Sequence, residues 1–191
     1  MIGILLAAGF SRRFGTADKL MQVLPNGETM ALAAAKHLIA ALPVSIAVVR
    51  AENHMLATGL RQLGLQVVAC AEGAEMMADS LVNAVRYAQQ LKLELEDVVI
   101  ALADMPYIQP STIQQVAATL KQQGGIVVPT YQDQRGHPVG FSAQFQSALM
   151  AVRGDAGARE LLKQHANAVY WMACEDAGIL ADIDTPSDMP I

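Results

Sequence analysis

The chain has 191 residues, of which 53% are hydrophobic and 16% are charged, and its formal net charge is −5. This length is that of one compact domain, and we expect residues 1–191 to form a single one. The apolar residues come in short stretches broken by polar ones, which predicts a cytoplasmic protein with no membrane partner. The net negative charge argues against a nucleic acid as partner. The two widely separated cysteines indicate neither a disulfide framework nor a zinc site.

Short apolar runs alternate with amphipathic segments along most of the chain. The runs predict strands at 2–7, 44–49, 66–69, 97–102, 126–129, 138–141 and 168–172. Helical spacing, caps and glycine stops predict helices at 29–42, 53–63, 80–91, 110–122, 143–152 and 156–165. This alternation favours an α/β fold with a parallel sheet covered on both faces, in three α/β/α layers. The strand at 138–141 follows a polar turn at 131–135 and is expected to return antiparallel, so the predicted sheet is mixed but mostly parallel.

A glycine loop rich in cations follows the first predicted strand. Ala8 and Gly9 come directly after this strand, and small residues there let the backbone approach a ligand closely. Successive backbone amides in such a turn can cradle phosphate oxygens. Arg13 and Lys19 add positive charge that can neutralise a triphosphate. The segment matches neither the Walker loop nor the dinucleotide motif, and the alternative interpretation is an ordinary turn with solvated arginines.

Two acidic positions are candidates for binding a divalent metal. Asp104 ends a predicted buried strand, and the carboxyl ends of parallel strands are where such sheets bind ligands. Mg²⁺ is held by one or two carboxylates together with substrate phosphates. Asp182 and Asp184 form a second acidic segment near the C-terminus, although Asp before Thr-Pro is also ordinary turn chemistry. For Asp104, the alternative is a turn or the capping of the next helix.

These motifs resemble those of the MobA-like nucleotidyltransferases, and within them those of the molybdenum cofactor cytidylyltransferases. The loop reads Leu-Ala-Ala-Gly-Phe-Ser-Arg-Arg-Phe-Gly, close to the family's Leu-Ala-Ala-Gly-x-Ser-x-Arg-Met-Gly, and a lysine follows it. Phe14 replaces the methionine, and three residues instead of the commoner two separate Gly15 from Lys19. Leu-Ala-Asp-Met-Pro, Gly-His-Pro, Gly-Asp-Ala-Gly-Ala-Arg and Asp-Thr-Pro follow in the family's order. Ser187 stands where the family has glutamate, which alters the expected helix capping there.

The resemblance implies a Rossmann-like nucleotidyltransferase fold and a role for particular residues. Nucleotide contacts are expected from Leu6, Ala7, Ala8, Gly9, Ser11, Arg13, Lys19 and, through a looser match, Ser80. Asp104 and Asp184 are implied to share Mg²⁺, with Asp182 nearby but not a ligand. His137, Pro138 and Arg159 are implied to lie along the acceptor pocket, although a lone histidine is often structural. The residues implied to be catalytic are Arg13, Lys19 and Asp104.

The expected reaction is an in-line attack of an acceptor phosphate on the α-phosphorus of a nucleoside triphosphate, with pyrophosphate leaving. Catalysis of this kind comes mainly from positioning and charge neutralisation. One hypothesis is transfer of CMP from CTP to the terminal phosphate of molybdopterin, because Ala8 stands where guanylyltransferases often carry glycine. A second is transfer, by the same chemistry, to a sugar, alcohol or polyol phosphate. A third is a protein that binds molybdenum cofactor and delivers it to a molybdenum dehydrogenase with little turnover.

Overall fold

The computed structural model describes residues 1–9, 14, 18–70, 77–92, 96–154 and 159–189. The strands are β1 (Ile2–Ala7), β2 (Ser45–Val49), β3 (Gln66–Ala69), β4 (Val98–Leu102), β5 (Ile126–Tyr131), β6 (Gln134–Arg135), β7 (Val139–Phe141) and β8 (Val169–Ala173). The α-helices are α1 (Met30–Ala41), α2 (His54–Gln62), α3 (Met77–Gln90), α4 (Pro110–Gln123), α5 (Gln146–Ala151) and α6 (Arg159–Gln164). A 3-10 turn at Lys19–Met21 follows the glycine loop. None of the helices in these ranges has the length and apolar character needed to cross a membrane.

The strands join one mixed sheet in the order β3-β2-β1-β4-β7-β5-β6, and β8 pairs with β5. β1 lies parallel to both β2 and β4, and β2 lies parallel to β3. β7 runs antiparallel between β4 and β5, so the predicted antiparallel return is confirmed. β8 runs parallel to β5 and forms an edge of the sheet among the described residues. The carboxyl ends of β1 and β4 therefore meet at one edge, where sheets of this kind bind ligands.

Helices cover both faces of the sheet. α1, α2 and α4 contribute to an apolar cluster on one face, together with Leu5 and Val99 of the sheet. α3, α5 and α6 contribute to a second cluster on the other face, around Ile4, Ile100 and Phe141. The central strands are buried along most of their length because both faces are covered. The predicted three-layer α/β/α fold with a mostly parallel mixed sheet is confirmed.

The structure differs from the predicted elements in several places, one of which is the helix predicted at 143–152, where a 3-10 turn at Ala143–Phe145 precedes α5. The expected polar turn at 131–135 contains a hairpin, in which β6 pairs with the end of β5. Gln132 and Asp133 make this tight turn with φ angles of 48° and 62°, the positive values that two-residue hairpin turns require. In the described part of the chain, α3 begins at Met77, three residues before the expected start at Ser80. The predicted start of a helix at 156 and its cap Asp155 lie outside the described residues.

Candidate active site

One lysine and two acids, distant in sequence, meet at the carboxyl edge of the sheet. The Nζ atom of Lys19 lies 2.8 Å from Oδ2 of Asp104 and 2.9 Å from Oδ1 of Asp184. The Lys19 side chain is only 12% exposed. Burial lowers the pKa of Lys19, but the charges and hydrogen bonds of Asp104 and Asp184 outweigh burial, so this pKa is raised above its usual value. Lys19 is therefore a charged group that bridges the two carboxylates.

Backbone hydrogen bonds hold the two acidic segments together. The backbone N–H of Ile183 donates to the carbonyl oxygen of Asp104 at 3.0 Å. The carboxylate of Asp188 accepts from the backbone N–H groups of Asp184 and Thr185, at 3.0 and 2.7 Å. Asp188 thus caps the segment, although the preceding residue, Ser187, departs from the family's glutamate. These hydrogen bonds hold the backbone of the Asp184 segment, so the position of that backbone does not depend on the side chain of Asp184.

A second set of polar residues supports the turn that carries Lys19. Oδ1 of Asp18 accepts from the backbone N–H of Leu20 at 3.0 Å, which caps the 3-10 turn. Nδ2 of Asn53 donates to the other oxygen of Asp18, while Oδ1 of Asn53 accepts from Leu56 N in the first turn of α2. The Arg50 guanidinium, just after β2, lies 3.9 Å from Asp18. The sequence motifs gave no signal for this group beyond the ability of Asp and Asn to cap helices.

The two acids fit a hard divalent cation such as Mg²⁺. Oδ1 of Asp104 is buried and has no hydrogen-bond partner in the described part of the chain. A buried carboxylate oxygen of this kind ordinarily has a partner, and a cation would supply one. In the described ranges no group of three His, Cys, Asp or Glu side chains is gathered around a metal position. Mg²⁺ is commonly held by one or two carboxylates with phosphates and waters as the other ligands, which is compatible with Asp104 and Asp184.

A cleft of about 640 Å³ begins beside the acids and crosses the face of the sheet that α3 and α6 cover. Met105 and Asp182, each close in sequence to one of the two acids, lie in its wall. Its apolar wall includes Leu6, Leu81, Ile100, Val128, Val139 and Ile179. Three cationic side chains also line it: Arg135, Arg159 and Lys163. A cleft with an apolar wall and basic side chains is suited to an anionic molecule that also carries an apolar or aromatic part.

His137 lines the cleft and is neutral at physiological pH. Burial lowers the pKa of its imidazole to about 4, and the charges of Arg135 and Arg159 act in the same direction against the opposing effect of Asp104. The backbone N–H of His137 donates to the carbonyl oxygen of Ile179 at 3.1 Å, and its Nδ1 is buried without a partner among the described residues. A neutral imidazole cannot hold an anion by charge, so His137 can contribute only hydrogen bonding and shape.

The remaining predicted site residues occupy different environments. Leu6 and Arg159 line the cleft. Pro138 is buried after a cis peptide bond and does not line the cleft. Ser80 is also buried, with its Oγ 3.5 Å from Sγ of Cys70. Ser80 does not line the cleft, and its expected nucleotide contact stays a prediction.

The loop residues are described only in part. Ala7 and Ala8 are buried, and Ala8 belongs to the apolar cluster on the α3 face. Gly9 is exposed, and a Cβ placed on it would meet nothing within 4 Å in the described part of the chain. Ser11 and Arg13 lie outside the described residues, so their expected nucleotide contacts stay predictions.

Two curated proteins are similar to almost the whole chain. The purine catabolism protein PucB of Bacillus subtilis (strain 168) is 28% identical over 200 residues, which cover 98% of this chain and 93% of PucB. The nicotine blue oxidoreductase of Paenarthrobacter nicotinovorans is 26% identical over 197 residues, with the same shares of coverage, 98% and 93%.

Solved structures show the same architecture. Rv0371c from Mycobacterium tuberculosis H37Rv superposes with a TM-score of 0.77 at 26% identity, covering 98% of this chain and 94% of that one. Its complex with manganese gives a TM-score of 0.73 at 23% identity, with the same coverage of 98% and 94%. A nucleotidyl transferase from Methanothermobacter gives 0.81 at 19% identity, covering 98% and 93%.

The fold and the comparisons together define the class of this protein as a nucleotidyltransferase. The model of the MobA-like NTP transferase domain matches residues 3–169. The chain therefore belongs to the MobA-like NTP transferase family.

Proposed function

We propose that this protein is a Mg²⁺-dependent cytidylyltransferase that transfers CMP from CTP to the terminal phosphate of molybdopterin and releases pyrophosphate. The observation that carries the proposal is the contact of Lys19 with Asp104 and Asp184, whose neighbours Met105 and Asp182 line a cleft that also contains cationic residues. This arrangement supports the proposal because it provides charges suited to a triphosphate and a metal near a cleft suited to an anionic acceptor.

The proposed reaction joins two anions, so its main obstacle is charge repulsion. An oxygen of the acceptor phosphate forms a bond to the α-phosphorus of CTP, while the bond between this phosphorus and the bridging oxygen breaks and pyrophosphate leaves. A bound Mg²⁺, held by Asp104 and Asp184, would neutralise phosphate charge when present. Lys19 and the predicted Arg13 add positive charge on the triphosphate side. The acceptor phosphate is already ionised near neutrality, so the reaction needs no general base, in keeping with a neutral His137.

The acceptor side of the proposal rests on the cleft. Arg159 and Lys163 are exposed residues of α6 and can reach an anion in the cleft that the helix borders. The apolar residues that also line the cleft would limit the access of water to a bound phosphate, which would strengthen charge contacts there.

Two further observations bear on the metal and on the nucleotide. The similar Rv0371c has been crystallised with manganese, a divalent cation that commonly replaces Mg²⁺ at carboxylate sites. The preference for CTP over GTP depends on Ala8, and one methyl group discriminates by only about 1–3 kcal/mol. An Ala8→Gly variant tests separately whether Ala8 causes the preference for CTP. Equal use of CTP and GTP by the unchanged protein would contradict the preference itself.

Two alternatives stay open within the family. One is transfer to a sugar, alcohol or polyol phosphate, and the other is delivery of molybdenum cofactor to a molybdenum dehydrogenase with little turnover. One relative, moreover, is called an oxidoreductase, so its name describes another reaction class. The contact of Lys19 with the two acids favours transfer, because a binding or delivery protein does not need charges placed for a leaving pyrophosphate.

Pyrophosphate release is the direct test of the proposal. The purified protein should be assayed with each of the four triphosphates, with Mg²⁺ or Mn²⁺, and with molybdopterin, a sugar phosphate and a polyol phosphate as acceptors. We expect release with CTP and molybdopterin. Release with a different acceptor would replace the proposed substrate, and tight binding of molybdopterin without release would support the delivery protein.

The variant Asp104→Asn tests the carboxylate that carries the metal hypothesis. It keeps the shape of the side chain but removes its charge, so kcat/KM should fall by roughly 10²-fold or more while thermal unfolding changes little. Glu28→Gln is the matched control, since Glu28 also pairs with a lysine, Lys36, but on the surface and outside the cleft lining. Its loss should stay below about tenfold. Equal losses in both variants would contradict the assignment of Asp104.

A further inference from the structure

A shallow concavity of about 340 Å³ lies beside the cleft and is lined by Thr130, Asp133, Arg135 and Trp171. We call these four residues the Trp171 shelf. Arg135 also lines the cleft, and Trp171 is the parallel register partner of Val128, which lies in the cleft wall. Register partners in neighbouring strands point to the same face of a sheet. The shelf therefore continues the cleft outward along the same face.

Trp171 is a large aromatic residue that lies exposed on β8. The residue is 53% exposed, while the next residue, Met172, is buried. Asp133 and Arg135, which line the same concavity, are both exposed. The shelf thus combines one aromatic face, one carboxylate acceptor and one guanidinium with several donors.

This combination of groups matches a particular ligand chemistry. A flat ring can stack on the indole, as nucleic-acid bases stack on aromatic side chains. A carboxylate accepts from ring N–H and amino groups, and a guanidinium donates to a ring carbonyl or ring nitrogen. A fused aminopyrimidinone ring carries both kinds of group along one edge. An aliphatic polyol offers no flat face to stack.

We propose that the Trp171 shelf binds the planar heterocyclic part of the acceptor, an aminopyrimidinone such as a pterin, while Arg159 and Lys163 hold its phosphate in the cleft. The inference rests on the proposed function, because it takes the cleft as the acceptor site. It goes further by assigning ring recognition to Trp171, Asp133 and Arg135. Trp171 is then a specificity-determining residue that separates heterocyclic acceptors from sugar and polyol phosphates.

The chain reports on this site by itself, because Trp171 is its single tryptophan. The full-length protein should be titrated with 6-hydroxymethylpterin while the tryptophan fluorescence is recorded, with correction for absorption by the pterin. We expect saturable quenching, and no comparable quenching by glycerol phosphate. Equilibrium dialysis with the same pterin gives the affinity of variants that lack the tryptophan.

Three variants identify the binding face. Trp171→Leu and Arg135→Gln should each weaken pterin binding by about tenfold, measured by dialysis. Tyr170→Leu is the matched control, since Tyr170 is the adjacent residue, is 44% exposed and points to the opposite face of β8. Its affinity for the pterin should be unchanged. Quenching that does not saturate, or equal affinities in Trp171→Leu and the unchanged protein, would overturn the proposal.

A second copy of the chain is the competing occupant of this surface, because β8 is an edge strand. Size-exclusion chromatography with light scattering over a range of protein concentrations distinguishes the two. A dimer that is lost in Trp171→Leu and is unaffected by the pterin would show that the indole is an interface residue, and the proposal would fall. A monomer with saturable quenching supports it.

The failure of this inference and the failure of the proposed function are distinguishable. If no acceptor supports pyrophosphate release but pterin binding depends on Trp171, the proposed function is wrong and the shelf remains a pterin site. If release with molybdopterin occurs and its KM is unchanged in Trp171→Leu, the shelf proposal is wrong and the transferase activity stands.

Discussion

At the scale of single residues, Lys19 is expected to pair either with the two acids or with the triphosphate. It contacts Asp104 and Asp184, the same carboxylates that are proposed to hold Mg²⁺, and it is expected to neutralise a triphosphate. The Lys19 ammonium would repel a divalent cation bound to the same two carboxylates. The presence of a triphosphate would relieve the repulsion by giving Lys19 an anionic partner, so metal and nucleotide should bind cooperatively.

The variant Lys19→Met tests this competition. Without the ammonium, Mn²⁺ should bind the nucleotide-free protein more tightly, by on the order of tenfold, in a calorimetric titration. At the same time kcat/KM should fall by about 10²-fold or more, because the charge on the triphosphate is lost. Lys36→Met is the control, since Lys36 is exposed and pairs with Glu28 on the surface. Mn²⁺ affinity that is unchanged in Lys19→Met would show that the lysine does not compete with the metal.

His137 predicts a dependence of stability on pH. Its pKa is about 4 in the folded protein, against 6.5 for an ordinary histidine. The unfolded chain therefore binds more protons between these values, and the free energy of unfolding should fall as the pH drops from 6.5 to 4, by at most about 3 kcal/mol from this residue. Urea unfolding in metal-free buffer should show a weaker decline over this range in His137→Gln than in the unchanged protein. Parallel declines would mean that other groups cause the acid sensitivity.

At the scale of secondary structure, local sequence patterns predicted most of the fold but only part of the candidate site. β1, β2 and β7 form within one residue of where the apolar runs predicted them, because a strand buried on both faces needs little beyond a short apolar sequence. The β5–β6 hairpin was missed because residues other than glycine make its turn at positive φ. The bridge from Lys19 to the two acids joins positions 85 and 165 residues apart, and no local pattern contains a contact of that range.

Helix caps show the same limit of sequence-based prediction. The sequence indicates which residues stand at the N-caps but not which of them make a side-chain hydrogen bond. Thr29 and Asn53 both stand at helix N-caps, but Thr29 makes no side-chain cap hydrogen bond. Asn53 caps α2 and also donates to Asp18, which caps the turn of Lys19. Only the structure shows that the second cap connects a helix to the candidate active site.

The pair of variants Asn53→Ala and Thr29→Ala tests this difference. Loss of a cap that bonds to the helix costs about 1 kcal/mol, so Asn53→Ala should lower the free energy of unfolding by this amount or more. Thr29→Ala should cost less, because its hydroxyl makes no cap bond. If the Asp18 contact positions Lys19, Asn53→Ala should also lower kcat, whereas Thr29→Ala should not. Equal effects of both changes on stability and kcat would contradict the proposed link.

At the scale of the whole molecule, the C-terminal segment closes the fold over the acidic edge of the sheet. After β8 the chain returns across the loop that follows β4, where a Cβ on Gly178 would lie 2.2 Å from the carbonyl oxygen of Tyr107. Gly136 is equally close to the segment, with a Cβ position 2.3 Å from the carbonyl oxygen of Ile179. These approaches require glycine, and they bring Asp184 to Asp104.

Asp176 is the residue that fixes this segment, and sequence reasoning did not single it out. It is 6% exposed, and its carboxylate accepts from the backbone N–H groups of Gln109 and Gly178, both at 2.9 Å, and from the hydroxyl of Thr112 at 2.7 Å. Two of these donors lie at the start of α4. A buried carboxylate with three donors is well satisfied, whereas its removal leaves buried donors unpaired.

The last prediction concerns this connection between α4 and the C-terminal segment. Asp176→Ala should lower the free energy of unfolding by about 2–4 kcal/mol, because it leaves several buried donors without an acceptor. Thr112→Val removes one donor and keeps the shape, so its cost should be smaller, about 1 kcal/mol. Both are measured by urea unfolding at neutral pH, followed by circular dichroism. Because the segment also carries Asp184, Asp176→Ala should weaken Mn²⁺ binding under conditions where the protein is still folded. A folded Asp176→Ala protein with unchanged Mn²⁺ affinity would show that the backbone bond from Ile183 to Asp104 is sufficient to place Asp184.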